Sequence, residues 1–161
     1  MAYRAPVEDI RFVFDHIIDF AQIRATEKFS EASSDVVDAI LNEAGKLCDE
    51  VITPLQRAGD MTPAVLENGK VRSSPGFAEG YRAIADGGWV CLSAPEAHGG
   101  MGLPVVLQTA VNDMLSGACL ALQLNPLLTQ GQIEALEAHA PDALKDLYLP
   151  KILSAEGSGT M

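Results

Sequence analysis

Residues 115–133 contain no Asp, Glu, Lys, Arg or His. A helix at a protein surface normally shows a charged face, so an element uncharged all round is covered on more than one side. Two arrangements satisfy that demand. The stretch is the central helix of a bundle, or it packs against a neighbour beyond its own domain. Its polar residues include Gln123, Asn125, Thr129, Gln130 and Gln132. Uncharged groups of this kind suit a ligand- or domain-facing helix, and equally an ordinary helix interior with paired amides.

The flanking segments read as helices. Ile10, Val13, Phe14, Ile17, Ile18 and Ala21 recur at helical spacing and predict one helix continuing through Ala21. Pro6 suits its first turn, and Glu8 and Asp9 complement its positive end. After a polar stretch, Ser34 is predicted to cap a helix whose inner face is Val37, Ile40, Leu41, Ala44, Cys48 and Val51. Pro54 disfavours helical geometry at Thr53, so that helix is expected to end or kink there. Residues 57–76 read as loop, with Asn68-Gly69 able to turn a small hairpin. Phe77, Tyr81, Ile84 and Ala85 share a face of a short helix stopped by Gly87-Gly88, and Leu107, Ala110, Val111, Met114 and Leu115 repeat the spacing. Asp142 is predicted to cap a last helix with Leu144, Leu147, Tyr148 and Ile152 inward, kinked at Pro150. About six helical segments and no convincing strand beyond the hairpin predict an all-α helical bundle.

With 161 residues, 48% of them apolar and 20% charged, the chain holds one globular core. A net charge of −11 with no basic cluster opposes nucleic acid and anionic membranes. No signal peptide is expected, and no apolar run is expected to be long enough to cross a bilayer. Cys48, Cys91 and Cys119 are odd in number and far apart, so they read as reduced core residues of a cytoplasmic protein, with no metal site.

Motif chemistry is sparse. Residues 87–104 hold Gly99-Gly100-Met101-Gly102, and bared glycine amides can cradle a phosphate. The dinucleotide fingerprint needs a preceding strand and a third glycine where Val105 stands, so the loop reads as a tight link between helices. His16, His98 and His139 form no metal-ligand or hydrolase spacing. Glu134, Glu137 and Glu156 are carboxylates with nothing to mark one as a base. The residues alone present no catalytic set.

The same loop, Gly87-Gly88-Trp89-Val90-Cys91-Leu92-Ser93-Ala94-Pro95-Glu96-Ala97-His98-Gly99-Gly100-Met101-Gly102-Leu103-Pro104, resembles the signature of the amino-terminal domain of flavin-dependent acyl-CoA dehydrogenases. Pro54-Leu55-Gln56-Arg57-Ala58-Gly59-Asp60, and Gly69-Lys70-Val71 with Pro75-Gly76-Phe77, resemble elements of a longer-chain branch of the family, and Tyr148-Leu149-Pro150-Lys151 resembles a segment near the end of the family's helical domain. The start, with Tyr3-Arg4-Ala5-Pro6 and Asp9-Ile10-Arg11-Phe12-Val13, is similar to that branch too. Where the family usually has an aromatic before the paired glycines, this chain has His98.

The resemblance implies removal of the α proton and β hydride of an acyl-CoA thioester. In the family a glutamate of a carboxy-terminal domain takes the proton, FAD takes the hydride, and an electron-transfer flavoprotein receives the electrons. That glutamate has no counterpart in this chain. By order and spacing, the resemblance makes Gln123, Leu124, Leu127, Leu128 and Gly131 the acyl-pocket lining, and Met161 the start of the flavin-contacting strand. The branch includes enzymes of ordinary fatty-acyl-CoA and of sulfur-containing short acyl-CoA, between which these residues do not choose. The expected organisation is a single helical domain over 1–161: an amino-terminal helix and linker (1–34), the bundle (35–156) and the beginning of a flavin-binding β domain (157–161). As a fragment the chain is expected neither to hold FAD stably nor to turn over substrate, and its parent is expected to be a homo-oligomer. The rival expectation is a stand-alone helical binding or interaction module sharing the scaffold without catalysis.

Overall fold

A computed structural model describes residues 3–160. Among them are seven α-helices and one short hairpin: α1 (Val7–His16), α2 (Phe20–Arg24), α3 (Ser34–Leu47), α4 (Thr53–Met61), β1 (Val65–Glu67), β2 (Lys70–Arg72), α5 (Phe77–Asp86), α6 (Val105–His139) and α7 (Asp142–Leu153). The all-α expectation holds. Helix α6, which contains the uncharged stretch, packs against α3, α4, α5 and α7 and is the centre of the bundle. Leu107, Val111, Met114 and Cys119 of α6 meet Leu41 and Ala44 of α3 and Leu149 of α7 in a core without solvent access.

Several local expectations change in the fold. The first predicted helix is broken: Asp19 takes a left-handed conformation (φ 47°), separating α1 from α2. The break returns Phe20 onto Phe14, the two rings stacking at 4.9 Å and 4°, both buried. Val13 and Ile17, expected on the inner face, are exposed. Burial of that aromatic pair outweighs continuation of the helix.

Ser33, one residue before the predicted cap, accepts the Val36 amide at 3.3 Å. The chain does not end or break at Thr53. A π turn over Cys48–Ile52 joins α3 to α4, and the Thr53 hydroxyl donates to the Cys48 carbonyl at 2.8 Å. Pro54 then sits in the first turn of α4, where its missing N–H is harmless. The wider turn also rotates the helix phase, burying Ile52 where regular spacing predicted Val51, which is exposed. Helix α4 reaches Met61, so the region read as loop from residue 57 is partly helical. The hairpin forms as the sequence suggested, with Val65 opposite Arg72 and positive φ at both Asn68 (50°) and Gly69 (75°), the combination a type I′ turn needs.

Asp142 makes no cap, and α7 turns a different face inward: of the residues expected inside, Ile152 is buried, together with Leu149 and Leu153, while Leu144, Leu147 and Tyr148 are exposed. Helix α6 also departs from the membrane expectation, having by length and mean hydropathy (1.4 in its most apolar stretch) the character of a bilayer-crossing helix. Half of that stretch is buried inside the protein, and the helix is not straight.

Candidate functional site

The glycine-rich loop leads into α6 and is closed on itself. The amides of Gly99, Gly100, Met101 and Gly102 donate to the carbonyls of Glu96, Pro95, Cys91 and Ala94 at 2.9–3.0 Å. A phosphate cradle needs those N–H groups free and convergent. Here they are consumed within the loop, in agreement with its reading as a connection. Gly100 is required for another reason: a Cβ there would stand 2.1 Å from the Ala94 carbonyl oxygen.

The loop aims α6, and α6 folds back. Cys119 has extended backbone angles (φ −158°, ψ 90°) inside the helix, dividing it into halves over residues 105–118 and 120–139. In a straight helix, residues 18 apart stand about 27 Å from each other. Asn112 and Gln130 have that separation in sequence, yet the Asn112 side-chain amide donates to Gln130 Oε1 at 2.7 Å. The elbow thus brings four amide side chains together. Asn112 Oδ1 accepts from Gln108 at 3.3 Å, Gln123 at 3.1 Å and Gln130 at 3.3 Å, and Gln108 also donates to the Trp89 carbonyl at 3.0 Å. Gln108 Oε1 and Gln123 Oε1 are buried without a hydrogen-bond partner. A buried acceptor left in that state favours a donor or a polar ligand brought against it.

The five residues proposed as acyl-pocket lining divide into two groups. Gln123 lies inside, held by Asn112. Leu124, Leu127 and Leu128 are 49%, 40% and 41% exposed, unusual for leucines of an uncharged stretch. Gly131 is exposed, and the space where its side chain would stand is empty to 4 Å. The second half of α6 therefore has a leucine-rich outer surface, open beside Gly131, over an amide-pinned base. Met161 lies outside the described residues.

None of the five lines a cavity of about 560 Å³, which lies toward the glycine-rich loop between Val90, Leu103, Phe29, Ile133 and Glu137. His98 Nε2 stands 3.4 Å from Glu137 Oε1 beside it. Two more residues complete the region, Asn112, which the sequence did not single out, and Thr129, which it marked only as one of the polar residues of the uncharged stretch. Asn112 is the hub of the amide network, signalled only by its four-residue offset from Gln108. Thr129, fully buried, accepts the Gly159 amide at 3.1 Å and ties the departing chain to α6.

Comparison with known proteins gives this arrangement a family. The family model described as acyl-CoA dehydrogenase, N-terminal domain, matches residues 34–156. A 3-methylmercaptopropionyl-CoA dehydrogenase of Ruegeria pomeroyi is 42% identical over all 161 residues, which span 27% of that relative. A butyryl-CoA dehydrogenase of Syntrophomonas wolfei subsp. wolfei is 26% identical over 99% of this chain, again covering 27% of the relative. The chain thus spans about a quarter of the length of the curated relatives it matches. Signature loop, central helix and matched span agree, and the chain belongs to the acyl-CoA dehydrogenase family, with the fold of its amino-terminal domain.

Proposed function

We propose that this chain is the amino-terminal domain of a flavin-dependent acyl-CoA dehydrogenase, and that the second half of α6 forms one wall of the acyl slot. The observation that carries the reading is the exposed leucine surface at Leu124, Leu127 and Leu128 beside Gly131. An acyl chain needs a dry apolar wall, and exposed leucines on the central helix supply one once a second surface closes over them. Gln123, pinned beneath, fixes the rotation of that wall. The proposed substrate is an acyl-CoA thioester, with electrons passing to an electron-transfer flavoprotein and the parent a homo-oligomer. Its three separate, buried cysteines support a cytoplasmic location. The proposed division remains 1–34, 35–156 and 157–161, the last segment leading into the flavin-binding β domain.

The described residues do not fit a flavin on their own. The loop amides are spent on neighbouring carbonyls, and the Gly159 amide is spent on Thr129. The purified chain is therefore expected to show no bound-flavin spectrum and no turnover of acyl-CoA. Turnover by the chain alone would contradict this division of labour. The wall itself is tested in the longer protein carrying this domain. There Leu127→Trp narrows the proposed slot and is expected to lower kcat/KM for longer acyl chains by about tenfold or more relative to short ones. An unchanged chain-length profile would remove Leu127 from the slot.

A further inference from the structure

The elbow at Cys119 has a clasp, supplied from the far end of the chain. Residues 3–6 lie across α3 and α6. The Tyr3 hydroxyl donates to the Met114 carbonyl at 3.0 Å, one turn before the elbow. A backbone carbonyl has two lone pairs, so this bond adds to what the helix itself provides. The phenol end of Tyr3 fills the space of the missing side chain of Gly117: a Cβ there would be 2.6 Å from Tyr3 Cε2 and 2.9 Å from its oxygen. A second glycine makes similar room, since a Cβ on Gly45 would be 2.8 Å from Val7 Cγ2. Between these contacts the Ala5 amide donates to Asp49 Oδ1 at 2.8 Å, fixing the segment to the π turn.

We propose that Tyr3 is a positioning residue for the second half of α6: its ring on Gly117 and its hydroxyl on Met114 set the angle of the elbow at Cys119. That angle determines where Gln123, Leu124, Leu127, Leu128 and Gly131 are presented, so the functional consequence rests on the acyl-wall reading above. Geometry makes the role specific. The family match begins at residue 34, so the clasp is contributed by a segment before the matched domain to the least regular point of its central helix. The phenol is also held as a donor. Burial first, then Cys48, Asp113 and Asp49, push its pKa up to about 12, so the hydroxyl keeps its proton throughout the neutral range.

The test measures the elbow directly, in this chain and without acyl-CoA. Thr109→Cys and Ala135→Cys place nitroxide labels at exposed positions on the two halves of α6, while Cys48, Cys91 and Cys119 are buried from the reagent. Dipolar electron resonance then reads the distance between the halves. The parent is expected to give one narrow distribution. Tyr3→Ala is expected to move its centre by roughly 3 Å, half a helical pitch, or more. Tyr3→Phe, which keeps the ring and removes the hydroxyl, is expected to broaden it and serves as the folded variant if Tyr3→Ala does not fold. Gly117→Ala, which pushes the ring away, is expected to shift the distance in the parent and add nothing in the Tyr3→Ala background. A residue that merely stabilises the fold would lower the melting temperature and leave the distance unchanged. Unchanged distances in a folded Tyr3→Ala protein, or in Tyr3→Phe where Tyr3→Ala does not fold, overturn the proposal. A shift in Tyr3→Ala without any change in Tyr3→Phe overturns the hydroxyl's part in it. Failure of the acyl-wall reading would leave these distances as they are and appear only in the chain-length profile of Leu127→Trp.

Discussion

Asn112 decides whether the elbow of α6 is a stable feature. Its carboxamide oxygen takes three donors and its nitrogen gives one bond, so three side chains depend on one residue. Asn112→Ala leaves the amides of Gln108, Gln123 and Gln130 short of a partner, two of them on buried residues. Each buried polar group left unpaired costs about 1–3 kcal/mol, and partial rearrangement offsets some of that sum. The expected loss is roughly 2–4 kcal/mol in urea denaturation, and a loss below about 1 kcal/mol would show that the network does not hold the halves together. Little of this was legible in the sequence. Gln123 and Gln130 stood out because they interrupt an uncharged stretch, but their common partner lies across an elbow that no periodicity marks. The glycine-rich loop was legible because its chemistry is local: the amides of Gly99, Gly100, Met101 and Gly102 all find their carbonyls inside the loop, between Cys91 and Glu96.

At the scale of elements, spacing located helices well and misassigned faces where geometry departs from 3.6 residues per turn. The π turn at Cys48–Ile52 exchanges Val51 for Ile52 in the core. The left-handed Asp19 ends α1 before its apolar pattern does. Helix α7 is the most informative case, because apolar residues surround much of it and the sequence gives no rule for which side meets α6. The structure makes a sharp statement: Leu149 is 0% exposed and Leu147 is 56% exposed. Leu149→Ala is therefore expected to cost about 2–5 kcal/mol, the range for a fully buried leucine. Leu147→Ala is expected to change stability by no more than about 0.5 kcal/mol, as a surface substitution does. Thermal or urea unfolding of the two variants decides between the inner face drawn from spacing and the one seen in the fold; equal losses would overturn the observed orientation.

On the scale of the molecule, the uncharged central stretch answers both demands made of it. Its first turns are covered by the bundle, and residues beyond the elbow present Leu120, Leu124, Leu127 and Leu128 to the outside. Helix α7 adds Leu144, Leu147 and Tyr148 to the exposed apolar side chains. An ordinary surface scatters such residues singly among charges, whereas grouped leucines on an uncharged stretch of helix make an interaction surface. With a net charge of −11, the chain has enough general repulsion to remain dispersed, so any association depends on this face. The folded chain is expected to bind an apolar fluorescent dye in native buffer, or to bury the same face against a second copy as its concentration rises. Sedimentation and dye titration, run together, separate these two forms. Leu124→Glu combined with Leu128→Lys is expected to abolish either one with little change in net charge, while Leu66→Glu on the exposed hairpin is not. A strictly monomeric chain that takes up no dye would show that these leucines do not form a contiguous apolar surface, and would withdraw the support they give to an acyl wall.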